Sequence, residues 1–308
     1  MVSLSFSNIS KSYTKGKKAL NRVSFSYDGN GILALIGRNG AGKTTLIRIL
    51  ATELMPDSGT ASIDGIDLIK DPDRVRGDMS IVPQEARTIG WLTPAQNITT
   101  YLLYRGLSYK EASLRALKAM EEVGISEYKD TVTRKLSGGT KRKTLVAMIL
   151  ASESRLIFLD EPTTGLDPIS REELWNVLNK LKKDRLIVLT THYLEEAERL
   201  ADRICVIEDG KLMAHGTMDE LRMKIRYQYS IRLPANSYRP RARGRLVRGT
   251  DGGMQILTDE QEAFRVSKEL IKKGIRFSSN PVSLEDIFYF IVKKSIDRDD
   301  KEGNYDEW

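Results

Sequence analysis

Residues 37–45 read GRNGAGKTT and fit the pattern G-x-x-x-x-G-K-[ST] at every fixed position. The apolar run 32–36 precedes them and is typical of a buried strand, whereas residues 45–50 follow with the pattern of a helix. A strand, a glycine-rich loop and a helix in this order present backbone N–H groups and a helix N-terminus to one anion. The stretch therefore predicts a phosphate-binding loop.

The fixed positions of this loop have chemical reasons. Gly40 and Gly42 lack a Cβ, so the backbone can close tightly around phosphates. Lys43 supplies a positive charge to the β and γ phosphates, and the Thr44 hydroxyl is a ligand for Mg²⁺. The predicted nucleotide-binding residues of the loop are Gly37, Asn39, Gly40, Gly42, Lys43, Thr44 and Thr45.

Two acids follow another apolar run, residues 156–159. A strand there would carry Asp160 to the edge of the sheet beside the phosphate loop, where Asp160 can hold Mg²⁺ while Thr44 ligates it directly. Glu161 comes next, so it projects differently and can polarise an attacking water. Asp160 is thus a predicted metal ligand and Glu161 a predicted catalytic residue.

A second glycine pair lies in residues 136–140, which read LSGGT and open a predicted helix over residues 141–151. Ser137, Gly138 and Gly139 at a helix N-terminus form a second anion site. Because the chain has a single phosphate loop but two anion sites, we expect the second site to serve the nucleotide of another molecule.

These motifs together resemble the ATPase subunit of an ATP-binding-cassette (ABC) transporter. LSGGT is similar to the family's LSGGQ signature, and Thr140 departs from the usual Gln at a position less central than Ser137 and the glycines. The resemblance implies roles for four further residues: Tyr13 stacks on adenine, Gln84 touches Mg²⁺ and the membrane partner, Asp167 communicates across a dimer, and His192 contacts the γ phosphate. For Tyr13 the alternative is an aromatic core residue.

The resemblance also implies partners. It predicts a head-to-tail dimer, most simply a homodimer, that closes on two ATP molecules with Mg²⁺ held by Thr44, Gln84 and Asp160. It further predicts separate membrane permease subunits, a location on the cytoplasmic face of the cell membrane, and no nucleic-acid partner. The segment 85–94 beyond Gln84 is the expected permease contact, with Trp91 and Leu92 as its apolar residues; the alternative is burial of Trp91 in the core. Residues 194–204 and 282–288 resemble single-cassette exporters of drugs, antibiotics and lipids.

The order of predicted strands and helices indicates an α/β fold: a P-loop NTPase core with an antiparallel β subdomain and a helical signature subdomain, followed by a small C-terminal α+β domain. The predicted boundaries are 1–221 for the nucleotide-binding domain, with the helical part at about 94–150, and 222–296 for the accessory domain. Residues 297–308 are rich in acids and predict a disordered tail.

Composition narrows the function less than the motifs do. The net charge of +7 suits an acidic partner without choosing among nucleotide, nucleic acid and an anionic membrane. The single cysteine, Cys205, lies in an apolar run and is expected to be a buried core residue. Five arginines between residues 239 and 248 indicate either a solvated basic loop or a contact with acidic lipid or an acidic partner. The chain lacks a signal-peptide pattern and any apolar run of membrane-spanning length, which favours the cytosol.

Two other functions remain open at this stage. A soluble ABC ATPase of translation or DNA repair usually carries two cassettes or a long coiled coil, and this chain shows neither pattern. A regulatory module that binds ATP without turnover is the other alternative, against which Glu161 and His192 argue.

Overall fold

The structure is a computed structural model that describes residues 1–14, 16–235, 237–248 and 253–299. The chain divides into two compact units, the first from Met1 to Leu212 and the second from Met213 onward. Within the described residues, no helix has both the length and the apolar character needed to cross a membrane.

The first unit contains two sheets and the helices around them. Its strands are β1 Val2–Thr14, β2 Lys17–Gly29, β3 Gly31–Ile36, β4 Ser58–Ile63, β5 Ile66–Asp67, β6 Met79–Val82, β7 Leu156–Asp160, β8 Leu186–Thr191, β9 Arg203–Glu208 and β10 Lys211–Gly216, the last of which extends past the division between the units. Its helices are α1 Lys43–Leu50, α2 Asp73–Arg76, α3 Pro94–Tyr104, α4 Tyr109–Glu122, α5 Gly138–Ser152, α6 Pro168–Leu181 and α7 Leu194–Leu200, with short 3-10 turns at Ser126–Tyr128 and Thr133–Lys135.

A mostly parallel sheet positions the site. Its strand order is β10-β9-β3-β8-β7-β6, and β3, β8, β7 and β6 run parallel to their neighbours. These strands read as continuous apolar runs because both faces are covered. The carboxyl ends of β3, β8, β7 and β6 therefore meet at one edge, where ligands bind in open α/β sheets.

The antiparallel sheet has the order β2-β1-β4-β5 and covers the core from the other side. Helix α1 contacts β2 of this sheet and both β7 and β8 of the parallel sheet. Its residues Leu46, Ile47 and Leu50 are fully or almost fully buried in the shared core. The single cysteine, Cys205, lies in the same core, as predicted.

The helical part consists of α3, α4 and α5, which contact one another. Helix α5 also contacts α6 and β6, so it joins the helical part to the parallel sheet. A Thr93–Gln96 capping box starts α3, and the Ser108 hydroxyl caps α4. The predicted P-loop core, antiparallel subdomain and helical subdomain are thus confirmed.

The second unit is the predicted α+β domain. It contains α8 Met218–Ile225, β11 Tyr229–Leu233, β12 Arg245–Arg248, β13 Met254–Thr258, α9 Glu260–Lys272, β14 Ser278–Pro281 and α10 Leu284–Asp299. Its strands pair antiparallel in the order β12-β13-β11-β14, and Val266 and Leu270 of α9 are buried against Ile231 and Ile256 of the sheet.

Two predicted boundaries differ from this division. Residue 221 lies inside α8, and the second unit begins earlier, at Met213 within β10. Of the predicted acidic tail, residues 297–299 are the end of α10, and residues 300–308 lie outside the described residues. The arginine stretch is part loop and part strand, because β12 starts at Arg245.

Candidate active site

The phosphate loop links β3 to α1 through glycines in conformations that L-residues rarely adopt. Gly42 precedes α1 with φ +106°, and a Cβ there would lie 2.3 Å from the Ala19 carbonyl oxygen. Gly40 has φ +82°. Of the predicted loop residues, Asn39, Gly40 and Thr44 are exposed, whereas Gly37, Gly42, Lys43 and Thr45 are buried.

Lys43 is the buried cation of this loop, only 5% exposed. Its ammonium donates hydrogen bonds to the carbonyl oxygens of Gly37 and Arg38 at 2.9 and 3.0 Å. Burial lowers the pKa of Lys43, while the negative charges of Glu161 and Asp160 raise it. The loop therefore holds a positive charge close to two acids, where the phosphates of a nucleotide would compete for it.

Asp160 lies at the end of β7 and is buried beside the loop. The Thr44 hydroxyl donates to Asp160 Oδ1 at 3.2 Å, and the Thr190 hydroxyl donates a short hydrogen bond to the same oxygen. This set of a carboxylate and a hydroxyl supplies the hard oxygen ligands that Mg²⁺ prefers. In the described part of the chain, no group of three or more His, Cys, Asp and Glu side chains forms a metal cluster.

Glu161 turns away from Asp160 because its backbone is left-handed, with φ +48°. Gln84 Nε2 and the Thr164 hydroxyl donate to Glu161 Oε2 at 3.2 and 3.0 Å. His192 Nδ1 lies 3.2 Å from Glu161 Oε1. A cavity of about 340 Å³ lies beside this carboxylate, lined by Gln84, Glu85, Ala86, Arg87, Arg142, Glu161 and Thr164.

His192 directly follows β8, and Gln84 follows β6 by two residues. The parallel register pairs Asp160 of β7 with Thr190 of β8. Strand β8 lies between β7 and β3, the strand that leads into the phosphate loop. The sheet thus brings together Lys43, Thr44, Gln84, Asp160, Glu161 and His192 at the edge predicted from the sequence.

Tyr13 lies at the rim of the site. Its hydroxyl is 3.2 Å from Thr45 Oγ1, and the residue is 58% exposed. The exposure excludes the alternative of an aromatic core residue.

The signature loop forms a separate site. The Ser137 hydroxyl caps α5 by accepting from Thr140 N at 3.1 Å, and it lies 2.9 Å from the Thr140 hydroxyl. A Cβ at Gly139 would lie 2.6 Å from Ser170 Oγ. Ser170 in turn donates from N and Oγ to the Asp167 carboxylate at 3.0 and 2.6 Å. The loops of Gly139 and Asp167 therefore pack together.

Thr190 and Arg142 belong to the site but were missed from the sequence. Thr190 reads as one more residue of an apolar strand, although its hydroxyl contacts Asp160. Arg142 donates to three backbone carbonyls of the Asp160 loop. The available signal for Arg142 was a charged residue just before a long apolar helical run.

Many known proteins and solved structures match this chain. The family model of ABC transporters matches residues 20–164. The daunorubicin/doxorubicin resistance ATP-binding protein DrrA of Streptomyces peucetius is 32% identical over 298 residues, which cover 92% of this chain and 90% of that protein. The chain belongs to the ABC transporter ATPase family. It is an ATP-binding subunit and an ATPase.

Other proteins that match this ABC ATPase are ATP-binding subunits or ATPases as well. The doxorubicin resistance ATP-binding protein DrrA of Mycobacterium tuberculosis is 39% identical over 70% of this chain and 65% of that protein. The retinal-specific phospholipid-transporting ATPase ABCA4 of Mus musculus is 39% identical over 202 residues, and these span only 9% of that protein. A solved ATP-binding cassette, dimeric in a post-hydrolysis state with ADP and Pi, matches 70% of this chain with a TM-score of 0.64 and 25% identity. The ATP-binding subunit of another ABC transporter matches with a TM-score of 0.64 and 30% identity.

Proposed function

We propose that this ABC ATPase forms a head-to-tail homodimer that closes on two ATP molecules and drives export through separate membrane permease subunits. The proposal rests on the different exposure of the two anion sites. Lys43 is buried in the phosphate loop, whereas Ser137 caps α5 on the surface. A second chain is the natural source of the phosphate that Ser137 would bind.

The proposed chemistry uses residues already in contact. Lys43 and Thr44 would hold the phosphates. Thr44 and Asp160, with Gln84 nearby, would hold Mg²⁺ together with ATP, and the ion would neutralise phosphate charge when bound. Glu161 orients the attacking water. His192, at 3.2 Å from the Glu161 carboxylate, contacts the γ phosphate.

Adenine and dimer contacts complete this proposed site. Tyr13, an exposed residue, stacks its ring on adenine. Ser137, Gly138 and Gly139 bind the ATP of the partner subunit, and Asp167 contacts the partner across the interface. Hydrolysis removes the γ phosphate that both subunits hold, so the dimer opens.

The proposed export direction rests on similarity along most of the chain. The Streptomyces relative is named for drug resistance and matches 92% of this chain, which includes most of the second unit. Drug resistance through an ATP-binding protein fits removal of a compound from the cell. We therefore place this subunit on the cytoplasmic face of the membrane, bound to permease chains.

The permease contact is proposed at residues 85–94. Trp91 is 75% exposed, so the alternative of a core tryptophan does not hold. An exposed tryptophan in the segment that follows Gln84 suits an apolar groove that receives a short helix. Because Gln84 donates to Glu161, this segment is connected to the nucleotide site.

Two measurements test the proposed function. Steady-state phosphate release from the purified chain, with and without membranes, should show Mg²⁺-dependent ATP hydrolysis that the membrane partner changes. Purification of the tagged chain from membranes should carry a polytopic permease with it. Hydrolysis with ribosomes or DNA as the co-purifying partner would favour the soluble class, and tight ATP binding without turnover would favour the regulatory module.

A further inference from the structure

Arg142 is a buried cation in the second turn of α5, only 9% exposed. Its Nε donates to the Pro162 carbonyl at 2.8 Å, and its Nη2 donates to the carbonyls of Asp160 and Glu161 at 3.2 and 3.0 Å. Burial lowers the pKa of Arg142, and the charge of Asp160 opposes this effect. Since a guanidinium stays protonated in proteins, a fixed cation holds three consecutive carbonyls of the catalytic loop.

The loop that accepts these hydrogen bonds needs support from both sides. Glu161 has a left-handed backbone with φ +48°, a conformation that non-glycine residues keep only when their surroundings impose it. On the strand side, Glu161 N donates to the Thr190 carbonyl and hydroxyl at 3.2 and 3.0 Å. Arg142 supplies the support on the carbonyl side. The direction of the Glu161 carboxylate therefore depends on Arg142.

The signature lies at the N-terminus of the same helix, one turn before Arg142. Ser137 caps α5, and Arg142 follows five residues later, a rise of about 7.5 Å along an α-helix. Helix α5 is fastened close to both points, because Lys143 Nζ forms a 2.8 Å salt bridge with Glu173 and Gly139 packs against Ser170. A shift at the Ser137 end is thus transmitted to Arg142 through a short, rigid segment.

We propose that Arg142 is a positioning residue that couples the two hydrolysis sites of the dimer. The proposal rests on the proposed function, in which Ser137 contacts the ATP of the partner while Arg142 of the same chain holds its own Glu161. Nucleotide bound in one site then fixes the orientation of Glu161 in the other site. Hydrolysis is accordingly cooperative in ATP.

The test compares Arg142→Lys and Arg142→Gln with the unchanged chain in ATP titrations of phosphate release. Neither substitute reproduces the forked guanidinium, so we expect the Hill coefficient to fall from above 1 to about 1 and kcat to fall about 100-fold, since small misplacements of catalytic groups have effects of this size. The KM for ATP should stay close to its normal value because Lys43 and Thr44 are untouched. Melting temperature is recorded for every variant.

Arg185→Lys is the matched control. Arg185 is a partly buried arginine outside α5 whose Nη1 donates to the Leu150 carbonyl of α5 at 3.4 Å, at the end of the helix away from the signature. This control should keep both kcat and the Hill coefficient. A Hill coefficient of 1 in the unchanged dimer, normal cooperativity in both Arg142 variants, or the same loss in Arg185→Lys would overturn the coupling role. Glu161→Gln run alongside separates the two ideas: if it abolishes turnover while the Arg142 variants behave normally, the proposed function stands and only the coupling fails.

Discussion

The phosphate loop and the signature loop both place glycines at a helix N-terminus, yet they are built in opposite ways. In the phosphate loop, Gly42 is held against the Ala19 carbonyl and the Lys43 ammonium is enclosed by the carbonyls of Gly37 and Arg38. In the signature loop, Ser137 is exposed and its contacts are the cap hydrogen bond and the Thr140 hydroxyl.

This difference separates a complete binding site from half of one. A buried cation and neighbouring acids can hold Mg²⁺ and a nucleotide within one chain. A helix N-terminus with an exposed serine offers only partial charge and a hydroxyl. The signature loop is expected to gain its function only when a second chain brings a phosphate to it.

The largest effect is expected for Glu161→Gln. The variant keeps Lys43, Thr44 and Asp160, so it should bind ATP and Mg²⁺ but lose about 10²- to 10⁴-fold in turnover, the range typical of a lost general acid–base group. Unhydrolysed ATP should then hold two chains together. Size-exclusion chromatography with and without ATP measures the dimer, and phosphate release measures the turnover. A variant that binds ATP yet stays monomeric, or that hydrolyses it at a near-normal rate, would contradict the assignment.

The next effect separates the two loops directly. Ser137→Arg places bulk and positive charge at the signature, so it should abolish ATPase activity while isolated chains still bind ATP through Lys43. Mixing this variant with Lys43→Ala chains should restore one competent composite site per mixed dimer. Phosphate release across a series of mixing ratios is the measurement.

Ser108→Arg is the matched control for this experiment. Ser108 caps α4 as Ser137 caps α5, and both are exposed. Loss of either cap should cost about 1 kcal/mol of stability, but only the signature change should stop hydrolysis. Equal loss of activity in both variants would mean that helix capping, and not a shared nucleotide site, explains the result. Absence of recovery in every mixture would count against composite sites once a strict need for two sites is excluded.

The sequence predicted the strands and the helix of the phosphate-binding site better than the tertiary contacts around them. Strand β3, helix α1 and the Asp160 end of β7 follow from local apolar runs and glycines, so they could be predicted without tertiary information. The left-handed Glu161 and the three carbonyl contacts of Arg142 could not, because they depend on how α5 lies beside residues 160–162, which are distant in sequence. The contact between Gly139 and Ser170 has the same cause, since the two residues are 31 positions apart.

The second unit shows another limit of sequence patterns. Strand β14 reads SSNP and β12 reads RLVR, and neither has the alternating apolar pattern of a half-buried strand. Both are edge strands, which tolerate proline and charge. The sequence did carry a signal for helix α8, the Thr217–Glu220 capping box. This box predicts a helix that begins before residue 221 and continues past the expected domain boundary.

A smaller effect on basal activity is expected at the proposed permease contact. Trp91→Ala combined with Leu92→Ala should leave ATP hydrolysis by the isolated chain within a few-fold, since neither residue touches the phosphate loop, but should uncouple hydrolysis from transport. Truncated interface anchors typically cost about 1–4 kcal/mol of binding free energy. Phe264→Ala, an equally exposed aromatic of the second unit, is the control. Crosslinks from a cysteine at position 92 should reach permease loops; crosslinks formed only through residues 239–248 would place the contact elsewhere.

The smallest expected effect is a pH-dependent change in the stability of the fold, and it concerns a buried polar contact near the His192 loop. Glu196 follows the His192 loop, is fully buried, and accepts a hydrogen bond from Trp175 Nε1 at 3.0 Å. Burial raises the pKa of Glu196 above its ordinary value of 4.5. The folded chain therefore binds a proton that the unfolded chain releases, so this contribution to stability is full below pH 4.5 and is lost as the pH rises through the folded pKa. Each pKa unit corresponds to about 1.4 kcal/mol.

Glu196→Gln keeps an oxygen for Trp175 but cannot ionise, so its stability should lack this pH dependence. The melting temperature of the variant minus that of the unchanged chain should increase from pH 4.5 upward and level off above the raised pKa of Glu196. Glu195→Gln, at the exposed neighbour in the same first turn of α7, is the matched control because it makes the same substitution outside the core. Parallel curves for both variants would show that Glu196 ionises normally in the folded chain. A rising difference at Glu196 alone would establish that the loop carrying His192 is supported by a protonated acid, a buried support of a kind that the exposed Ser137 of the signature loop does not have.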